Sequence, residues 1–349
     1  MPNFDEIKFT VEALSGGKNV VLFDDAGMPS IMVPIVRGKY ADLFTGGSQN
    51  YHDAFKVETV DKEKLYISKF LNVIVNDKAY SLAGKEPKHT LNADQALTYC
   101  RNKGRGWANT PYSLWSYIAL WCRKNGTMPR GNNNYGQDIG YPAEKAVPAS
   151  YDGNGKVNRT LTGTGPNTWN HNWAEDGIAD LNGNVWEWCS GMRLVDGEIQ
   201  IIPYSNIFDP DVSQAAASIA WKGIASDGSL AEPGTAGNLH YDWLNSKITL
   251  ATSTTDTTDA GHDTEYKSLA IESGLTAPEI AKGLLLYPDD PNGDYGGDKH
   301  WFNPVGERLP LCGGNWGGSA VAGVFAVTCT YPRSDANLSI GFRSAFCEL

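Results

Sequence analysis

The chain has 349 residues, a formal net charge of −11, and 41% hydrophobic and 11% aromatic residues. That apolar content excludes a disordered chain, and the acidic balance excludes a nucleic-acid binder, whose affinity comes from clustered Lys and Arg. No run approaches 18 consecutive apolar residues, so no membrane insertion is expected.

The length suggests two units. Met1–Thr10 has no basic region followed by an apolar stretch, so no signal peptide is expected and synthesis is cytoplasmic. Residues 1–88 read as a β-rich module. Val20–Phe23, Ile31–Val36, Leu65–Phe70, Asn72–Val75 and Ala79–Leu82 are short β-branched or aromatic runs, with turns at Asp24–Gly27 and Asn76–Asp77. Gly84–His89 reads as a linker. Asn92 with Gln95 forms a capping box for a helix that ends at Gly104. A second helix takes Thr110 as its cap and Pro111 as its first residue, and Gly126 closes it. Its apolar face is Leu114, Trp115, Ile118, Trp121 and Cys122. Loops follow from Met128 to Asp180, and Asp180–Asn184 turns into an aromatic strand, Val185–Trp188. Residues 192–310 read as loop insertions on a scaffold, with helices expected at Thr264–Ser273 and Ala277–Leu285.

The tail carries the most information. Cys312-Gly313-Gly314-Asn315-Trp316, Val324–Val327, Pro332-Arg333-Ser334 and Ile340–Phe346 are scaffold-type glycines, aromatics and arginines. Between them stand small residues of no common chemistry. Rigid anchors interleaved with chemically free positions suit a surface that must change its ligand and keep its fold. No catalytic constellation competes with that pattern, so no enzyme is expected.

Ile118–Cys122, Asn125–Asn133, Gly183–Trp188, Gly313–Trp316 and Gly341–Arg343 resemble the variable proteins of diversity-generating retroelements. In that family a reverse transcriptase copies a template repeat with errors at adenines and rewrites the 3′ end of the gene. The resemblance covers about residues 89–192 and 311–349. It implies an α+β chain: a C-type lectin fold of the formylglycine-generating-enzyme type with long loop insertions, preceded by a small β-rich N-terminal domain. The domains would be 1–88, for mounting, and 89–349, with the insertion at about 192–310 and a variable region at about 313–346. Gly317, Gly318, Ser319, Val321, Thr328, Thr330, Tyr331, Asp335, Asn337 and Ser339 become the diversified, ligand-facing set. Each of these residue types is reached from an Asn codon by changing adenines. Trp316, Phe325, Phe342 and Arg343 become scaffold, and Tyr331 a surface anchor. The implied partner is a protein or glycan on a bacterial surface, with self-association or virion attachment through the N-terminal module. The product would be of phage or prophage origin.

A different class of reading is a metal oxidoreductase of the formylglycine-generating or sulfoxide-synthase group. Against it, no C-x4-C follows the glycines, and His52, His89, His171, His240, His262 and His300 stand singly, as surface or loop histidines. An invariant structural virion protein is a third reading. No cofactor is expected. Asp290–Asp294 starts like an EF-hand loop but has Tyr295 in place of Gly, and Asp152–Asn154 breaks off at Lys156, so both read as Asx turns. Relatives on this fold bind calcium near the positions of Asn184 and Glu187. The competing reading pairs Glu187 with a buried cation such as Arg343. The six cysteines have no CxxC and read as reduced, mostly buried thiols, with a Cys312–Cys329 bridge left open.

Overall fold

The computed structural model describes residues 4–349. Within them the chain is mixed α and β, mostly antiparallel sheet with few helices. The expected N-terminal runs form strands Val20–Phe23, Pro29–Val36, Lys64–Ser68, Asn72–Val75 and Lys78–Ser81. Asn76 and Asp77 take φ of 49° and 56° and join the last two as a two-residue hairpin, a backbone that short polar residues tolerate. The segment Asp5–Leu14, inside the stretch read as β-rich, is a helix with no buried residue. Met1–Asn3 lie outside the described residues.

Strands of the stretch read as the N-terminal module share a sheet with the C-terminus. A five-stranded sheet runs Val20–Phe23, Pro29–Val36, Lys64–Ser68, Ser344–Phe346, Trp107–Asn109. The C-terminal strand pairs Ala345 with Ile67 on one side and with Ala108 on the other. Val33, Ile35, Phe55 and Leu65 also share a core with Leu114, Trp115 and Ile118. Strand pairing thus joins residues on both sides of the stretch read as a linker.

The helices form where their caps place them. Asn92 accepts the Gln95 N–H, and the Gln95 side chain accepts the Asn92 N–H, opening Ala93–Arg101. Tyr112–Asn125 ends at Gly126, with φ of 68°. Its start differs from expectation. Pro111 is the N-cap, and the Thr110 hydroxyl donates to the Arg343 carbonyl at 3.2 Å.

The stretch 192–310 is not loop insertion. It supplies much of a 13-stranded sheet, including Met192–Val195, Glu198–Ile201, His240–Leu244, Lys247–Ala251, His262–Glu265 and Lys299–Phe302. Ile199, Ile224, Ile248, Leu250 and Phe302 lie fully buried. The helix expected at Thr264–Ser273 is a strand, a 3-10 turn and a second strand, Ala270–Ile271; sheet pairing overrides the helical spacing. The helix expected at Ala277–Leu285 shortens to Glu279–Gly283.

Candidate ligand-binding face

Loop 313–323 begins with two glycines that geometry requires. Gly313 and Gly314 have φ of 92° and 86°, and a Cβ on Gly314 would lie 2.4 Å from the Ala322 Cβ. Beyond them the backbone holds the loop. The Trp316 N–H donates to the Asn184 carbonyl at 3.2 Å, the Tyr135 N–H to the Trp316 carbonyl at 2.8 Å, and the Ser319 N–H to the Asn133 carbonyl at 2.8 Å. Gly317 and Ser319 are exposed, and Gly318 and Val321 half-buried. These four do not have equal freedom. A Cβ at Gly317 meets nothing closer than 3.5 Å, whereas one at Gly318 would sit 2.8 Å from the Ala322 Cβ. Ser319 already occupies the left-handed region, with φ of 56°.

The remaining candidates lie on strand Val327–Tyr331 and the turn after it. Thr328 is 3% exposed, so a ligand-facing role for it is corrected. Its strand is central, flanked by Lys299–Phe302 and Glu307–Cys312, and its hydroxyl bonds that of Thr330 at 2.8 Å. Thr330 is half-buried. Tyr331, expected as a free surface anchor, is half-buried and packs against the cluster of Leu309, Leu311, Trp188 and Phe342. Asp335, Asn337 and Ser339 are half-buried. The Asn337 carboxamide oxygen accepts the Ser339 N–H at 2.9 Å and its hydroxyl at 2.7 Å, so Asn337 shapes the turn. The Ser339 carbonyl accepts the Trp186 N–H.

Side chains outside the tail join the loop to the turn. Arg159, 6% exposed, pairs with Glu86, donates to the Leu338 carbonyl at 3.1 Å, and lies 5.6 Å from the Trp316 ring. Trp186 and Trp301 meet edge to face at 5.8 Å, and Trp301 is in register with Thr328. Trp316, expected in the core, is half-buried like Trp186 and Trp301. Tyr135, whose N–H bonds the Trp316 carbonyl, and Leu338, whose carbonyl takes the Arg159 guanidinium, are exposed. Arg159, Tyr135 and Trp301 escaped the sequence reading. No local motif marks Arg159, although an Arg in an otherwise polar loop was the available signal.

Beneath the face, Glu187 and Arg343 form a buried pair. The Arg343 Nε donates to Glu187 Oε2 at 2.6 Å and its Nη2 to Oε1 at 2.7 Å. Burial pushes the Glu187 carboxyl up, and the adjacent guanidinium pulls against it. The Asn184 side chain is committed to Thr160 and Asn132. The residues named for calcium therefore do not fit it, because their oxygens already serve partners in the chain. Among the described residues no three His, Cys, Asp or Glu side chains form a metal-ligand group.

His52, His171 and His300 are buried; His52 and His171 stand in loops, one of the two expected settings, and His300 on strand Lys299–Phe302. Burial holds His52 and His171 down to about 4 and His300 to about 3. Asp290 and Asp152 are Asx turns, accepting the N–H groups of Asn292 and Asn154. All six cysteines are buried free thiols, Cys312 and Cys329 included.

No protein-family model matches the chain, and no curated relative matches it significantly. Among solved structures it is similar to PvdO from Pseudomonas aeruginosa, at 12% identity over 94% of this chain and 97% of that one, with a TM-score of 0.40. It is similar to Treponema denticola variable protein 1, at 14% identity over 94% and 98%, with a TM-score of 0.37. The Major Tropism Determinant U1 variant follows at 11% identity over 94% and 71%, with a TM-score of 0.31. TM-scores in this range do not fix a shared fold.

Proposed function

We propose that this chain is a recognition protein with a C-type lectin fold of the formylglycine-generating type, which binds a surface ligand without turning it over. Its binding face is loop 317–321 together with Thr330 and the turn through Asp335 and Ser339, diversified by a retroelement of phage or prophage origin. The ligand is a protein or glycan on a bacterial surface. One observation carries the reading: the loop's shape rests on backbone hydrogen bonds from Trp316, Tyr135 and Ser319, so the residues at 317 and 321 are replaceable, and Ser319 by types that tolerate its left-handed backbone.

Deep sequencing of the 3′ end of the gene across a source population tests this directly. Substitutions should concentrate at the codons for Gly317, Ser319, Val321, Thr330, Asp335 and Ser339, at template adenines. Variation spread evenly over 311–349, or confined to buried codons, would sink it.

The same geometry makes a stability prediction. Replacing Gly317 by Asn, or Val321 by Asn or Ser, should change unfolding free energy by about 0.5 kcal/mol or less. Gly318→Val should cost roughly 1–3 kcal/mol, because its Cβ meets Ala322. Urea denaturation of the purified variants measures both. Equal costs at 317 and 318 would show that the loop is not held as described.

A further inference from the structure

Beside the loop lies a groove of about 620 Å³ that the diversified-face reading does not use. Its lining comes mainly from outside the tail: Arg123, the loop from Met128 to Tyr141, Trp173, Asn182 and Asp294–Asp298. Only Ala320, Ala322 and Gly323 belong to the 313–323 loop.

Two aromatic rings stand open at this groove, Tyr141 at 50% and Trp173 at 41% exposure. Both are held in place. The Arg130 guanidinium lies 3.2 Å from the Tyr141 ring centroid and 5.5 Å from that of Trp173, and it is fixed in turn by Glu144. The Trp173 indole N–H donates to the Met128 carbonyl at 3.1 Å.

The lining also holds a carboxyl with no side-chain partner. Asp298 is 2% exposed, and its oxygens take only the backbone N–H groups of Phe325 and Ala326. Gly296 and Gly323 flank it in the lining. A Cβ at Gly323 would come within 2.3 Å of both carboxyl oxygens, and one at Gly296 within 3.2 Å of Oδ1. The two glycines keep the space around the acid open. Burial pushes Asp298 up to about 8, so near neutral pH it is mostly a neutral group that both donates and accepts.

The charge arrangement narrows the ligand class. Arg123 and Arg130 are already paired with Asp289, Asp290 and Glu144, so an anion finds no free cation here. Asp138 is buried and spends its oxygens on the N–H groups of Gly131, Gly140 and Tyr141 and on the Asn133 amide. A cation would have to ionise Asp298 where it is 2% exposed and has no basic side-chain partner, at the cost of that burial. A wholly apolar ligand would leave the remaining bonding capacity of the Asp298 carboxyl, which has no side-chain partner, unused. What remains is a neutral molecule with one apolar face and several hydroxyls.

We propose that this groove is a binding subsite for a pyranose sugar ring, whose C–H face stacks on Tyr141 and Trp173 while its hydroxyls bond the Asp298 carboxyl. The proposal stands whether or not residues 317–339 vary.

The test titrates the purified full chain with methyl mannoside, methyl glucoside, methyl galactoside, N-acetylglucosamine and N-acetylgalactosamine, with arginine methyl ester as the cationic probe. Saturation-transfer NMR and calorimetry give the readout. At least one pyranoside should saturate with a Kd of about 1 mM or tighter. Trp173→Ala and Tyr141→Ala should each weaken it about tenfold. Tyr151→Ala, at an exposed ring elsewhere, should leave it unchanged. Asp298→Ala should weaken it about tenfold, because the sugar hydroxyls lose the carboxyl they bond. Tyr141 makes no side-chain hydrogen bond that folding would miss, so its variant keeps the test open if Trp173→Ala misfolds. The proposal is overturned if no sugar saturates, or if binding ignores both aromatic variants. It is also overturned if arginine methyl ester binds instead and Asp298→Asn abolishes that binding.

Discussion

Replacing Arg343 by alanine should destabilise the chain by about 3–5 kcal/mol, the usual cost of stripping one partner from a buried ion pair. Arg343 is 0% exposed and Glu187 1%, so neither charge is solvated once the other is gone. The guanidinium does more than neutralise Glu187. It also donates to the Ser68 carbonyl at 3.1 Å and the Ala179 carbonyl at 3.0 Å, so one side chain ties the N-terminal strands, the 128–180 loops and strand Trp186–Trp188 to the C-terminus. Arg343→Lys should recover little of the loss, because an ammonium cannot reproduce the two-pronged contact with both Glu187 oxygens. The double variant Glu187→Gln/Arg343→Met should be less destabilised than Arg343→Ala alone, since it removes the Glu187 charge that the single variant strands. Urea denaturation of the three variants decides it. A loss below about 1 kcal/mol for Arg343→Ala would mean the pair is hydrated and does not lock the segments together.

That pair was legible in the sequence as one of two readings for Glu187, because a strand carboxylate between two tryptophans needs either a metal or a cation. The capping box at Asn92, the terminator at Gly126 and the hairpin at Asn76–Asp77 were legible for the same reason: each is decided by residues within a few positions of one another. Long-range pairing was not. Strand Ser344–Phe346 lies between Lys64–Ser68 and Trp107–Asn109, and nothing in the local composition says so. The 192–310 stretch misled because its strands are short and spaced by polar turns, so each run alone looks like loop; the burial of Ile199, Ile248 and Leu250 appears only once they pair.

At the candidate face, the anchors and the exposed loop positions were visible in the alternation of types. Thr328 and Gly318 were not separable from their neighbours. What distinguishes them is a flanking strand in one case and the Ala322 methyl in the other, both contributed by tertiary contact. The groove was invisible for a related reason. Tyr141, Trp173 and Asp298 come from three segments that only the fold brings together.

Stability should also rise with pH between about 7 and 10 through one residue, Lys103. This lysine is 0% exposed, with its ammonium 2.8 Å from the Ser30 hydroxyl and 3.2 Å from the Trp107 ring centroid. Burial holds it down to about 7, against about 10.4 in an unfolded chain. Between those values the unfolded chain binds a proton that the folded chain does not, so raising the pH favours folding; below about 7 the full penalty persists. The Trp107 face offsets part of the cost, which leaves a swing of roughly 2–4 kcal/mol. Other groups titrate in the same range. Asp298, pushed up to about 8, makes the opposite contribution, present at low pH and lost as the pH rises toward 8. The buried thiols, pushed up as well, oppose Lys103 at the alkaline end. The absolute profile therefore sums several terms, and the informative quantity is the difference between the native chain and the variant Lys103→Met/Ser30→Ala, which removes the charge without orphaning the hydroxyl. That variant should be the more stable at pH 6 by roughly 2 kcal/mol or more, and the advantage should fall toward zero by about pH 10. Urea midpoints measured at steps across this range give the difference curve. A flat curve would mean that Lys103 keeps an ordinary affinity for its proton, and that stacking on Trp107 fully replaces the water it has lost.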